Sequence, residues 1–277
     1  MTSLPFEILN PKLRRGSFRA VIFDFDGTLS LLREGWPRVM VGMMMEHLHS
    51  MSLVAGNADE DARSIHRLVM ARNGEPTIRQ MEAFAEEVRR RGGTPLETIS
   101  YLQDYLDRLM RDVRTRWNAL ESGAAHPRDW VVPGAHAQLQ QLRERGVPLF
   151  VASGTEHEHV VREARLLEVE SFFPTGINAP KANDRAFGKG KVIDWVLSSL
   201  GIRGEELLGF GDGTVETREV KRVGGVAVAV ASSEQGSRLG TVNLEKREEL
   251  IAAGADLVVA DYSAQEVLIP WLWGERN

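Results

Sequence analysis

One apolar run near the N-terminus, Arg19-Ala-Val-Ile-Phe-Asp24, stands alone before roughly 100 residues of helical pattern. A single buried strand cannot fold by itself, because its backbone groups and both of its faces need partners. It must therefore join a sheet built by residues much later in the chain. Those residues begin near Val131, where strand and helix signals alternate. Strands are predicted at Val147 to Ala152, Leu207 to Phe210, Gly225 to Ala231 and Leu257 to Ala260, with a further one within Phe172 to Ile177. Helices are predicted at Glu156 to Leu167, Lys191 to Leu200 and Thr214 to Arg222, and Ala264 to Leu272 closes the chain. Strands that alternate with helices imply a parallel sheet covered on both faces, an α/β fold.

The intervening stretch has a different period. Ile99, Leu102, Leu106, Leu109, Val113 and Trp117 recur at three- and four-residue steps, as do Ile78, Met81, Phe84, Ala85 and Val88. Gly56-Asn57, Asn73-Gly74 and Gly92-Gly93 divide it into four helices, in which Met40, Met43, Met44 and Met45 fill a core. Arg89 to Arg91 reads as a solvated face. The expected organisation is an α/β core of residues 1–30 and 131–277, interrupted by an all-helical insertion of residues 31–130.

Composition narrows the chemistry. The chain of 277 residues contains no cysteine, which excludes disulfides, thiolate metal centres and a cysteine nucleophile. Lys and Arg together number 34 against 39 Asp and Glu, a net charge of −5, and the basic residues are dispersed. A nucleic-acid-binding face is not expected from that pattern. No signal-peptide pattern opens the chain and no apolar stretch approaches the ~20 residues of a membrane span, so a cytoplasmic protein without a membrane partner is expected. Oligomeric state has no signature here.

Four polar clusters follow apolar runs or precede helices. Asp24-Phe-Asp-Gly-Thr28 puts two carboxylates two residues apart at a strand end, where α/β sheets build their sites. Their mutual repulsion calls for a cation or a shared proton, and Mg²⁺ suits oxygen ligands. Val151-Ala-Ser-Gly-Thr155 offers a hydroxyl and backbone N–H groups ahead of a helix, which suits a phosphate. Gly188-Lys-Gly-Lys191 brings lysines to a helix start, and Lys181 lies nearby. Phe210-Gly-Asp212-Gly-Thr-Val-Glu216 adds Asp212 as a further metal oxygen and Glu216 one helical turn later. Each cluster alone also reads as ordinary turn or cap chemistry. Together they supply the parts of a metal-assisted phosphoryl-transfer site.

This order of motifs resembles the haloacid dehalogenase superfamily over nearly the whole chain, the helical insertion matching a cap placed after the first motif. The resemblance implies a three-layer Rossmann-like core with a helical cap domain. It implies Asp24 as a nucleophile that forms an aspartyl-phosphate and Asp26 as general acid/base. Ser153 and Gly154 would hold the phosphoryl group, and Lys189, preferred over Lys191 and Lys181, would stabilise its charge. Asp24, the Asp26 carbonyl and Asp212 would hold Mg²⁺, with Thr28 ordering the first loop and Glu216 supporting the metal ligands. Arg33 and Trp36 enter the insertion directly after the first motif, a position that suits either contact with a substrate's leaving group or hinge packing. The implied activity is Mg²⁺-dependent hydrolysis of a small phosphorylated metabolite such as a sugar phosphate. The competing readings are a sugar phosphomutase and an inactive phosphate-binding regulatory module. Because residues 31–130 contain no lysine, Schiff-base phosphonate cleavage with a cap lysine, as in some relatives, is excluded.

Overall fold

The computed structural model describes residues 4–275 apart from 55, 74, 175, 182–185 and 234–239. In chain order its elements begin with β1 (Glu7–Ile8) and β2 (Ala20–Phe23). Four helices follow: α1 (Trp36–Ser50), α2 (Ala58–Met70), α3 (Thr77–Arg90) and α4 (Thr98–Glu121). Then come α5 (Ala135–Glu144), β3 (Leu149–Ala152), α6 (His157–Leu166), β4 (Ile177–Asn178), α7 (Lys189–Leu200) and β5 (Leu207–Gly211). The chain closes with α8 (Thr214–Arg222), β6 (Val226–Val230), α9 (Leu244–Ala252), β7 (Leu257–Val259) and α10 (Gln265–Leu272). It divides into two units, one of residues 1–34 and 119–277 and one of residues 35–118.

The first unit is the α/β fold expected. Its seven strands run in the order β1-β7-β6-β5-β2-β3-β4, all parallel except the short β1, which pairs antiparallel with β7. The isolated strand β2 sits between β3 and β5, at the point where the strand order reverses. Open α/β sheets bind ligands at such a point, beyond the strand C-termini. Alternate β2 side chains serve opposite faces. Ala20 and Ile22 pack with Val192, Ile193 and Val196 of α7 and Val220 of α8. On the other face Phe23 stacks on Phe210, centroids 4.9 Å apart, and meets Phe173 and Tyr262 edge-on. Helix α9 is held by Leu250, which packs with Ala229 and Ala231 at the end of β6 and Val258 of β7.

The helical unit is built by the 3.6-residue periodicity. Met40, Met43 and Met44 of α1, Ile65 and Val69 of α2, and Met81, Phe84 and Val88 of α3 are buried. Asn57 caps α2, its side chain accepting from the Asp59 and Glu60 amides. Arg91 departs from the expected solvated face. Its guanidinium pairs with Asp61 at 2.9 Å and Glu87 at 2.7 Å and also donates to the Leu53 carbonyl, because α3 ends where these acceptors converge. No helix among the described residues is long and apolar enough to cross a membrane.

Between residues 172 and 177 the expected strand is reduced. A 3-10 turn occupies Glu170–Phe172, and Pro174, which has no N–H to donate to a ladder, precedes the two-residue β4. Gly74 and Thr175 lie outside the described residues.

Gly134 opens α5 with φ +80°, and a Cβ there would fall 2.3 Å from the carbonyl carbon and oxygen of Tyr262. Gly134→Ala should therefore combine left-handed strain with a backbone clash, together costing about 2–3 kcal/mol. In thermal unfolding this corresponds to a drop of roughly 5 °C or more for a domain of this size. A variant that melts with the wild type would contradict the packing of residue 134 against Tyr262.

Candidate active site

Strand register assembles the site. Phe23 of β2 pairs with Val151 of β3 on one side and Phe210 of β5 on the other. Asp24, Ser153 and Asp212 therefore leave three neighbouring strands at one end of the sheet. The Asp24 amide continues the ladder, donating to the Phe210 carbonyl at 2.9 Å. Beyond it the chain turns sharply at Gly27, whose φ of +74° suits glycine, while the Thr28, Leu29 and Ser30 amides converge on the Phe25 carbonyl.

Lys189, the first residue of α7, projects into the centre of this end. Its ammonium lies 2.9 Å from Asp24 Oδ1 and 2.9 Å from Glu216 Oε2, and all three side chains are buried. The other Glu216 oxygen accepts from the Gly213 amide, so this carboxylate is fixed at both oxygens. Burial alone would push the Lys189 pKa down, but Asp24 and Glu216 outweigh it and raise it above the ordinary lysine range. Glu216 is held below its usual range, since the attraction of Lys189 and its hydrogen bonds overcome burial. Asp24 goes the other way. Burial, reinforced by Glu216 and Asp212, lifts its carboxyl well above the usual range despite Lys189. Of the other lysines considered, Lys191 donates to the Ala186 carbonyl and Lys181 is exposed.

Asp26 occupies different surroundings. Thr155 Oγ1 donates to its Oδ2 at 2.7 Å, and Arg33 Nε lies 3.4 Å from its Oδ1. Arg33 is itself anchored by a 2.7 Å bond from Nη2 to the fully buried Glu163. Ser153 is buried, with its Oγ accepting from the Thr155 amide and its own amide donating to the Asn178 carbonyl. Gly154 next to it is exposed. Trp36 begins α1 in the helical unit.

Asp212 completes the group. Its Oδ1 accepts from Thr28 Oγ1 at 3.3 Å, and its Oδ2 lies 2.9 Å from the Lys246 ammonium. Asp24, Asp212 and Glu216 each present an oxygen, all within 4.8 Å of one another, an arrangement that can hold a metal ion. The buried Tyr262 phenol is raised above its usual range by burial and then by Asp212 and Asp24, so it stays neutral. Thr155, Glu163, Lys246 and Tyr262 were not singled out as site residues in the sequence. Thr155 lies within the serine motif, whereas Glu163, Lys246 and Tyr262 fall outside all four motifs.

A family model for haloacid dehalogenase-like hydrolases matches residues 18–224, three quarters of the chain. The chain belongs to this family. Solved structures share the fold of this haloacid dehalogenase-like hydrolase across almost its whole length. A predicted phosphoglycolate phosphatase from Haemophilus somnus gives a TM-score of 0.59 at 13% identity, covering 91% of this chain and 98% of its own. A β-phosphoglucomutase from Clostridium difficile gives 0.59 at 12%, covering 93% and 98%. A hydrolase of the same family from Deinococcus radiodurans, solved with bound phosphate and sodium, gives 0.56 at 17%, covering 93% and 97%. At such identities the likeness concerns the fold alone. Comparison with curated proteins gives no match.

The raised Asp24 carboxyl makes a stability prediction. A folded state that holds a proton more tightly than the unfolded chain loses stability as pH rises from the ordinary value, 3.8, toward the raised one. At neutral pH without divalent cations, ionised Asp24 is thus a cost to the fold. Asp24→Asn keeps an oxygen to accept from Lys189 and removes one of three clustered negative charges. In EDTA the stability of this variant should fall less than that of the wild type as pH rises from 4 to 7, because the cost of ionising Asp24 is gone. A variant whose stability follows the wild-type pH dependence would contradict the charge balance described.

Proposed function

We propose that this hydrolase is a Mg²⁺-dependent phosphomonoesterase that works through an aspartyl-phosphate on Asp24. The observation that carries the reading is the buried ammonium of Lys189 shared between Asp24 and Glu216, with Asp212 within reach of the same point. The donor set fits Mg²⁺, because it consists of hard carboxylate oxygens with no nitrogen or sulfur ligand among them. Asp24, Asp212 and the Asp26 backbone carbonyl would hold the ion. Glu216 supports them from behind, since Lys189 and the Gly213 amide already engage its two oxygens. The ion, when bound, draws charge from the phosphoryl oxygens and eases the approach of an anionic nucleophile.

The chain's own residues supply the remaining steps. An Asp24 oxygen attacks phosphorus in line, and the bond to the leaving oxygen breaks as Asp26 delivers a proton to it. Asp26, now a carboxylate, takes a proton from water, which attacks the same phosphorus and releases phosphate and free Asp24. Covalent catalysis divides one difficult displacement into two easier ones. Lys189 keeps Asp24 oriented and offsets the charge on the transferring group, while Ser153 and Gly154 receive its oxygens. Thr155 and Arg33 aim Asp26. Arg33 is better suited to that task than to meeting a leaving group, because Glu163 already holds its Nη2. We assign the helical unit the role of a cap that selects a small phosphorylated metabolite such as a sugar phosphate, with Trp36 as a contact.

The test is a phosphomonoester panel, including sugar phosphates, assayed for phosphate release with Mg²⁺ and with EDTA. Release should require Mg²⁺. It should fall at least about 10³-fold in Asp24→Asn and about 10²–10⁴-fold in Asp26→Asn. Formation of an isomeric sugar phosphate in place of free phosphate would identify a mutase. Full activity in Asp24→Asn would overturn the mechanism.

A further inference from the structure

Lys246 reaches the site from α9, an element outside the four motifs. Its ammonium is 2.9 Å from Asp212 Oδ2, and the residue is only 9% exposed. Helix stability does not explain a lysine here. Asn243 caps α9 by accepting from the Lys246 amide, which places Lys246 in the first turn, where the helix dipole favours acids and opposes a cation. Residue usage is equally uneven. The chain carries 6 lysines among its 34 basic residues, yet two of the six, Lys189 and Lys246, place their ammonium groups on Asp24 and Asp212. A lysine provides a compact point charge, and the Lys246 ammonium is bonded to Asp212 Oδ2, whereas the broad arginine fork tends to engage both oxygens of a carboxylate. Thr28 meets the other Asp212 oxygen at 3.3 Å, a longer and weaker contact.

We propose that Lys246 is a positioning residue for Asp212 and that its ammonium sets the divalent-cation affinity of the site. The inference rests on the reading of Asp212 as a Mg²⁺ ligand. By holding Oδ2, Lys246 fixes the plane of a carboxylate that presents an oxygen within 4.8 Å of those of Asp24 and Glu216. Partners that orient metal-binding carboxylates in this way are typically worth about 10–100-fold in metal affinity. The packing of α9 on β6 and β7 thereby becomes part of the metal site, through a single side chain.

The test is direct titration of the full chain with Mg²⁺, and with Mn²⁺ as a second probe, by calorimetry without substrate. Thermal unfolding in EDTA is followed in parallel. Lys246→Met should bind both ions at least tenfold more weakly than the wild type while keeping a cooperative unfolding transition. Lys246→Gln should weaken binding similarly and serves if the methionine variant does not fold. Asn243→Ala disturbs the start of α9 without removing the ammonium and should bind as the wild type does. Equal or tighter binding in the Lys246 variants would overturn the proposal. So would weakening in Asn243→Ala equal to that in Lys246→Met, since helix placement would then be the cause. A wild-type protein that binds neither ion would instead remove the metal-dependent reading, and this inference with it.

Discussion

The Lys189 ammonium is the constraint on which the remaining geometry depends. It is buried between Asp24 and Glu216, 2.9 Å from each, in a cluster that also contains Asp212. Burying one charge is costly, and removal of a partner from such a group leaves an uncompensated ion. The three elements that carry these residues are therefore tied to one another: the end of β2, the first turn of α7 and the first turn of α8. Even the turn between β5 and α8 takes part, because the Gly213 amide holds Glu216 in line with the ammonium.

Two aspartates two residues apart acquire different chemistry from these surroundings. Asp24 is buried and bonded to an ammonium, among other carboxylates, and its carboxyl is raised. Asp26, beyond the end of β2, is more exposed and meets a threonine hydroxyl and the Arg33 guanidinium. In the proposed mechanism the first environment presents an oxygen nucleophile whose charge needs a cation. The other presents a carboxyl with access to solvent, suited to moving protons. The proposed division of nucleophilic and acid–base work follows this difference in burial and partners.

Much of the fold was legible because it rests on period and punctuation. The strand at β2 and the helix at Thr214–Arg222 stood out as an apolar run and an amphipathic stretch, each bounded by polar or glycine residues. Helices α5 and α9 have no clear signature in the sequence. Their segments are rich in Gln, Glu and Arg and bury only a few side chains each, so their apolar periodicity is faint. The two-residue β1 exists through its pairing with β7, a contact between residues about 250 apart. Within the site, the strand-end motifs carried Asp24, Ser153 and Asp212 because their positions follow from local pattern. Lys246 and Glu163 meet their partners only through tertiary packing, at sequence separations of 34 and 130. The same limit applies to Arg91, whose partners are Asp61 of α2 and Leu53 of the segment before it.

The most direct test of the central claim is to trap the phosphorylated enzyme. The protein would be mixed with a hydrolysed phosphomonoester and Mg²⁺, quenched in acid within one turnover, and mapped by peptide mass spectrometry. The account predicts one phosphoryl group, located on Asp24 and released by hydroxylamine as an acyl phosphate should be. Phosphorylation of a different residue, or rapid phosphate release with no covalent species on Asp24, would contradict it.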